Sequence, residues 1–400
     1  MLALSALLAV LVRTLVSAFP RVKAQDRRGV RNCAMLPSIV SKTLGDVAFA
    51  HWSNDRHDEA LTACEDALRI QRATVGHDHP DVARTLYGMS NVYVSQRRDD
   101  EALAAIEEAL RVMRATAGND HPEVATILCN KAFVHLRNGR HDEALTVYEE
   151  ALPLQRAALG DCQDVAGTLA VMAFTYDTEG RSDEALTAYK EALRIERATM
   201  GNDRAAVAGL LSRIADTYKK QRRYDEALTA YEEALPIQRA ALGDDHPNVG
   251  KTLHNMATVY VEQSRYDEAR AASEEALHIQ CAALGDDHPE VALNLIVIAH
   301  THLNQGRYDE ALAACEEELR IRRATAGDDH PDVATTLNNM AFAFESLDRY
   351  EEALASDEEA LRIMRAAVGD GHPEVARIHQ QVNRMQAALR ERAWSELLND

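Results

Sequence analysis

The 400-residue chain carries 64 acidic and 44 basic side chains, a formal net charge of −20, and is 46% hydrophobic but only 5% aromatic. Such a surface repels nucleic-acid phosphates and anionic lipid, so no nucleic acid and no membrane partner is expected for the bulk of the chain. Six cysteines without a Cys-x-x-Cys pair imply no disulfide framework.

Residues 1–36 differ in character from the rest of the chain. MLALSALLAVLVRTLVSAFP is apolar but is interrupted by Arg13, too short and broken for a membrane span. Val16-Ser17-Ala18 fits a small-residue cleavage site, and Arg21, Lys23, Arg27, Arg28 and Arg31 then face only Asp26. Ser17-Ala18-Phe19-Pro20 looks similar to the Ala-Phe junction of plastid presequences in algae with secondary plastids. Three readings of the segment stand side by side: a targeting leader (secretory or plastid-directed), an unstructured leader, or an extension upstream of a start at Met35. Without a targeting role the expected location is cytoplasmic.

From Pro37 onward one unit repeats. His-Pro occurs at His79, His121, His246, His288, His330 and His372, mostly 42 residues apart, and Gly160 and Gly201 open two degenerate copies in the long gap. Glu59, Glu101, Glu143, Glu184, Glu226, Glu268, Glu310 and Glu352 keep the same beat. A fixed period of this size means stacked copies of one supersecondary unit. Residues 37–371 give eight copies. Residues 372–400 repeat only the first half of the pattern, with His379, Asn383 and Gln386 in apolar slots, as a terminal capping helix requires.

Each copy reads as two helices. In the last full copy Val333, Leu337, Met340, Ala341 and Phe344 recur at helical steps, as do Ala353, Leu354, Ala360, Leu361 and Met364. Asp329 is placed to cap the first helix, with Pro331 in its first turn, and Gly369 is placed to end the second in a left-handed conformation. Glu65–Arg69, Glu107–Arg111 and Glu358–Arg362 are expected as pairs four residues apart. Pro153 and Pro236 should kink or interrupt their helices. Lys131, in a slot that is mostly Met, should snorkel to the surface.

Leu253, Met256, Ala257 and Tyr260, with Ala227, Tyr231 and Ala234, stand where the tetratricopeptide repeat has its signature residues, and the pattern resembles that family. The 42-residue step, with GDDHPxVAxTLNNMA and RYDEA, is similar to the form found in kinesin light chains. The resemblance implies an all-α, right-handed superhelical solenoid whose inner face is formed by the first helices. It also implies a protein-binding scaffold or adaptor with no catalysis of its own. An organelle-targeted assembly factor on the same repeats is the alternative. The N-terminal segment lacks the sustained heptads by which kinesin light chains join the motor, which counts against a kinesin heavy chain as partner.

The resemblance places Asn91, Asn130, Phe133, Phe174, Arg213, Asn255, Asn339 and Phe342 on the inner face. Asn side chains would meet the main chain of an extended peptide, and Phe side chains would supply apolar anchors. Lys219, Lys220 and Lys251 join Arg213 in a basic patch within an acidic protein, which favours an acidic peptide segment as partner. Relatives that bind chaperone C-termini use a Lys in the copy before the Asn91 and Asn130 slots; it is absent here.

Other chemistry finds little support. His residues of adjacent copies lie too far apart to share one metal ion, so they read as structural turn residues. Val249-Gly250-Lys251-Thr252 ends like a phosphate loop, but Asp245 replaces the required Gly and no strand precedes it. Cys64 and Cys315 share a second-helix core slot with Tyr148, Tyr189 and Tyr231, Cys129 is a candidate for the groove, and Cys33, Cys162 and Cys281 are candidates for exposure. No metal, cofactor or catalytic set is expected.

Overall fold

The computed structural model describes residues 29–199 and 204–399, with side chains from residue 41 onward except 204, 393 and 395–399. The leader reading of residues 1–36, and the side chain of Cys33, therefore lie largely outside the described residues. Everything described is helix or short connection, with no strand. The chain divides into two compact units, up to Thr199 and from Met200. The first holds α1 (Gly29–Trp52), α2 (His57–Thr74), α3 (Pro80–Ser95), α4 (Asp99–Ala117), α5 (Pro122–Arg137), α6 (His141–Leu159), α7 (Gln163–Thr178) and α8 (Ser182–Thr199). The second holds α9 (Arg204–Lys220), α10 (Tyr224–Leu242), α11 (Pro247–Glu262), α12 (Tyr266–Leu284), α13 (Pro289–Asn304), α14 (Tyr308–Ala326), α15 (Pro331–Ser346), α16 (Tyr350–Val368) and α17 (Pro373–Asn399).

In each unit the helices form hairpins stacked in chain order. The first helices also touch one another across hairpins, α1 with α3, α3 with α5, α9 with α11 and α11 with α13. Small residues make this packing possible: Ala67, Ala109, Ala151 and Ala192 in the first unit, and Ala234, Ala276 and Ala360 in the second, are fully buried at one slot of the second helix. The chain ends on α17, whose Val375, Ile378, Val382 and Met385 are buried in the last core, while His379 and Asn383 stay exposed.

Where His-Pro opens a first helix, the histidine caps it, not the preceding aspartate. Nδ1 of His79, His121, His246, His288 and His330 accepts the backbone N–H two residues on, at 3.1–3.3 Å. An imidazole nitrogen thus does what a Ser or Asp oxygen does elsewhere. The freed aspartate ties the loop to the second helix of its hairpin: Asp78–Arg111 at 2.8 Å, Asp287–Arg320 at 2.6 Å and Asp329–Arg362 at 2.7 Å. Arg111 and Arg362 are thereby drawn away from Glu107 and Glu358, and Arg69 reaches Asp66 at 2.6 Å instead of Glu65.

Within each hairpin the turn needs one residue with positive φ. Gly139, Gly180 and Gly306 supply it in three copies; Asp55, Arg97, Arg222, Ser264 and Asp348 supply it in five, at φ 57–59°. The next residue is an arginine that closes the helix end, as Arg265 does by donating its N–H to Tyr260 O at 2.8 Å. Its guanidinium lies over the Tyr260 ring, 4.5 Å from the centroid, and donates to Glu268 at 3.0 Å. In six of the eight copies, those of Glu101, Glu184, Glu226, Glu268, Glu310 and Glu352, the Glu landmark is the counter-ion of this arginine.

Gly369 does end its helix at positive φ, but with φ 82° and ψ 163° it is extended rather than left-handed helical. Pro153 and Pro236 do not interrupt anything: α6 and α10 run through them over 19 residues each. Tertiary packing of the buried face outweighs one lost backbone bond, and both prolines lie on the exposed side.

Candidate functional site

Counting the repeat places Phe49, Asn91, Phe133 and Phe174 at one slot of the first helices of the first unit. Phe133 and Phe174 are each 46% exposed, far above the core residues around them. Nδ2 of Asn130 donates to Oδ1 of Asn91 at 2.8 Å and to Ser90 Oγ at 3.0 Å. That bond ties the two amides together, with the Asn91 oxygen accepting and the Asn130 nitrogen donating. Phe49 went unnoticed in the sequence because its copy lacks His-Pro, although one more step back from Asn91 would have found it. It is 64% exposed and stands 5.7 Å from the Trp52 ring. A cleft of about 630 Å³ opens beside this pair, lined also by Tyr87, Gly88 and Asn91.

In the second unit the basic side chains come from two helices, Arg213, Lys219 and Lys220 from α9 and Lys251 from α11. Nζ of Lys219 donates to Oδ1 of Asn255 at 2.9 Å. Nδ2 of Asn255 donates to Asp216 at 3.1 Å, and the hydroxyl of Tyr231, itself fully buried, donates to the same Asp216 oxygen. Burial depresses the Lys219 ammonium, with Lys220 and Lys251 adding to the depression and Asp216 opposing it. Burial and the Asp216 carboxylate push the Tyr231 phenol up. Burial likewise lowers His254, whose Nδ1 lies 3.0 Å from Asn294 Oδ1, and Lys219 and Lys251 contribute.

This arrangement gives Asn255 a structural job within the cluster. Both ends of its amide are engaged internally, so it holds Lys219 in place. Asp216, which is the α9 member of the Phe slot, is a counter-ion inside the cluster. Arg213, Lys220 and Lys251 are exposed. Asn339 on α15 hydrogen-bonds His300 of α13. Phe342 on α15 is 48% exposed and meets Tyr308 edge-on, with centroids 6.4 Å apart.

Other candidate chemistry has structural explanations. Gly250 lies inside α11, and an added Cβ would sit 3.3 Å from Gln280 and Ile279 side chains, so glycine is there for close helix packing. Burial pushes the Cys64 and Cys315 thiols up to about 11 and about 12. Cys129 is half-buried and accepts from Gln155 at 3.3 Å, and Cys162 and Cys281 are half-buried rather than exposed. The Lys131 ammonium reaches Glu107 at 3.3 Å. Among the described residues no group of His, Cys, Asp and Glu could hold a metal ion, and no helix is long and apolar enough to cross a membrane.

The family model of the tetratricopeptide repeat matches residues 40–115, 123–198, 206–282, 289–366 and 332–390. No curated protein matches the chain. Similar solved structures include BtubC (BKLC) from P. vanneervenii, 22% identical over 58% of this chain and 94% of that one, with a TM-score of 0.50. The apo quorum sensor NprR from B. thuringiensis is 18% identical over 88% of this chain and 92% of its own, with a TM-score of 0.52. Apo RapI is 11% identical over 88% and 99%, with a TM-score of 0.58. At these identities the likeness is one of fold. With helix pairs in sequential contact and the family's model spanning most of its length, this chain belongs to the tetratricopeptide repeat family.

Proposed function

We propose that the protein is a non-catalytic adaptor that binds acidic peptide segments of partner proteins against its first helices. The observation that carries the reading is the Lys219 cluster. An ammonium is held by Asn255 in half-buried surroundings, with Lys220 and Lys251 close enough to depress it. An incoming carboxylate would relieve that repulsion and replace lost hydration, while Asp216 offsets part of the charge. In the other unit the exposed Phe133 and Phe174, with the paired amides of Asn91 and Asn130, support apolar anchoring and main-chain contacts.

The test is affinity capture from cells with the wild type and with the triple variant Arg213→Glu, Lys219→Glu, Lys220→Glu, read by mass spectrometry alongside circular dichroism. Loss of specific partners whose binding segments are acidic, at unchanged helicity, is expected. An identical set of partners for a folded triple variant would reject the reading.

A further inference from the structure

Seven second helices carry a fully buried alanine at one slot; the eighth carries Glu318, only 2% exposed. Two lines of contact come from the carboxylate. Its Oε1 accepts from Thr336 Oγ1 of α15 at 2.7 Å and from Arg322 Nε, one turn along α14, at 2.7 Å. Its Oε2 is buried and has no partner.

Elsewhere in this unit a neutral amide makes the equivalent tie between one hairpin and the next. Thr252 donates to Gln238 at 2.8 Å, and Asn294 donates to Gln280 at 2.5 Å. Between α14 and α15 alone, among these three joints, an ionisable group does that work.

We propose that Glu318 makes the joint between α14 and α15 proton-dependent, closed while its carboxyl carries a proton and loosened once it is ionised. The charged groups around it are few. Arg322 lies on its own helix, and Asp332 on α15 pairs with Arg322. His330 on α15 stands 3.8 Å from Asp332. From α13 the neighbouring cluster supplies Val291, Ala292 and Leu295, which carry no charge. One cation shared between two carboxylates, one of them buried with an orphan oxygen, does not repay the desolvation of the ionised form. Burial accordingly raises the Glu318 carboxyl above its ordinary range, against the opposing effects of Thr336 and Arg322.

The joint carries Asn339 and Phe342, which sit on α15, so its opening would move that part of the second unit's face. Its proton dependence comes from packing alone and is independent of acidic-peptide binding.

Hydrogen exchange of the full chain, followed peptide by peptide from pH 5 to pH 8 and corrected for intrinsic rates, tests it. Opening of α14 and α15 should rise with pH by up to about tenfold per unit, the limit for one linked proton, while α11 and α12 stay flat. Glu318→Gln, uncharged throughout, and Glu318→Ala, the residue of the other seven copies, should both abolish the rise. A flat profile for wild-type α14 and α15 overturns the proposal. So does a rise that survives in Glu318→Gln, since it would then belong to another group.

Discussion

Nζ of Lys219 on α9 lies 2.9 Å from Oδ1 of Asn255 on α11, and this bond joins two neighbouring first helices at the centre of the basic cluster. Beneath it Asn255 donates to Asp216, which also accepts from Tyr231. The ammonium is therefore positioned by a chain of hydrogen bonds that starts in the core.

Asn255→Ala should remove the oxygen that holds Lys219 and one donor to Asp216. A net loss of about 2 kcal/mol is expected in urea denaturation, about 1 kcal/mol for each of the two hydrogen bonds. Asn255→Asp, which keeps the oxygen for Lys219 but sets a second carboxylate against Asp216, should also destabilise. Wild-type stability in both variants would show that the chain of bonds contributes nothing.

The histidine caps make a sharper forecast. His288→Ala leaves the Glu290 N–H without its acceptor and should cost about 1 kcal/mol, whereas His288→Asn, a good capping residue, should lose much less. Equal losses in the two variants would mean that the imidazole acts by packing.

Ser264 holds a left-handed turn at φ 59°, where three sister copies use glycine. Ser264→Gly should raise stability by about 0.5–1 kcal/mol, the left-handed penalty less the extra freedom of the unfolded chain. The converse change, Gly306→Ser, should lower it. Thermal melts of both variants decide.

Asp357 occupies the core slot that is Tyr, Cys, Ile or Ser in other copies. It is 2% exposed, and burial pushes its carboxyl up to about 6, against a hydrogen bond from Asn338 at 3.0 Å. The folded state thus binds this proton more tightly than the unfolded chain, whose carboxyl titrates near 4. Its contribution is full below about pH 4 and is lost as pH rises through about 6. The stability of Asp357→Asn relative to wild type should therefore climb by about 2 kcal/mol between pH 4 and pH 7. Comparing the two proteins at each pH cancels the opposite trend of His254, His300 and His302, which burial lowers. A constant difference across the range would contradict the assignment.

The period made the architecture legible. Alanine and leucine at helical steps, Pro at the first position and Gly after the last are short-range signals, and they marked nearly every helix. What stayed hidden was the choice among equivalent partners. Asp329 and His330 are both sound caps by composition; Arg362, thirty-three residues on, takes the aspartate and leaves the histidine. Glu358 and Arg362 have ideal spacing, yet the loop carboxylate competes successfully. Asn255 carries the residue type of a peptide reader, and only packing reveals that Lys219 and Asp216 each take one of its hydrogen bonds. Glu318 and Asp357 are hidden for a different reason: in a chain with 64 acids, two more at helical positions stand out only once burial is known.

The central claim is that an acidic segment binds at Lys219 and its neighbours. The direct measurement is fluorescence anisotropy of the labelled peptide Glu-Glu-Leu-Phe-Glu-Glu titrated with wild type and with Lys219→Met, at about 50 and 300 mM salt. Wild-type binding should weaken with salt, as expected for a screened ion cluster, and Lys219→Met should weaken it several-fold at low salt with the fold intact. Equal affinity for wild type and Lys219→Met, or binding insensitive to salt, would contradict the account.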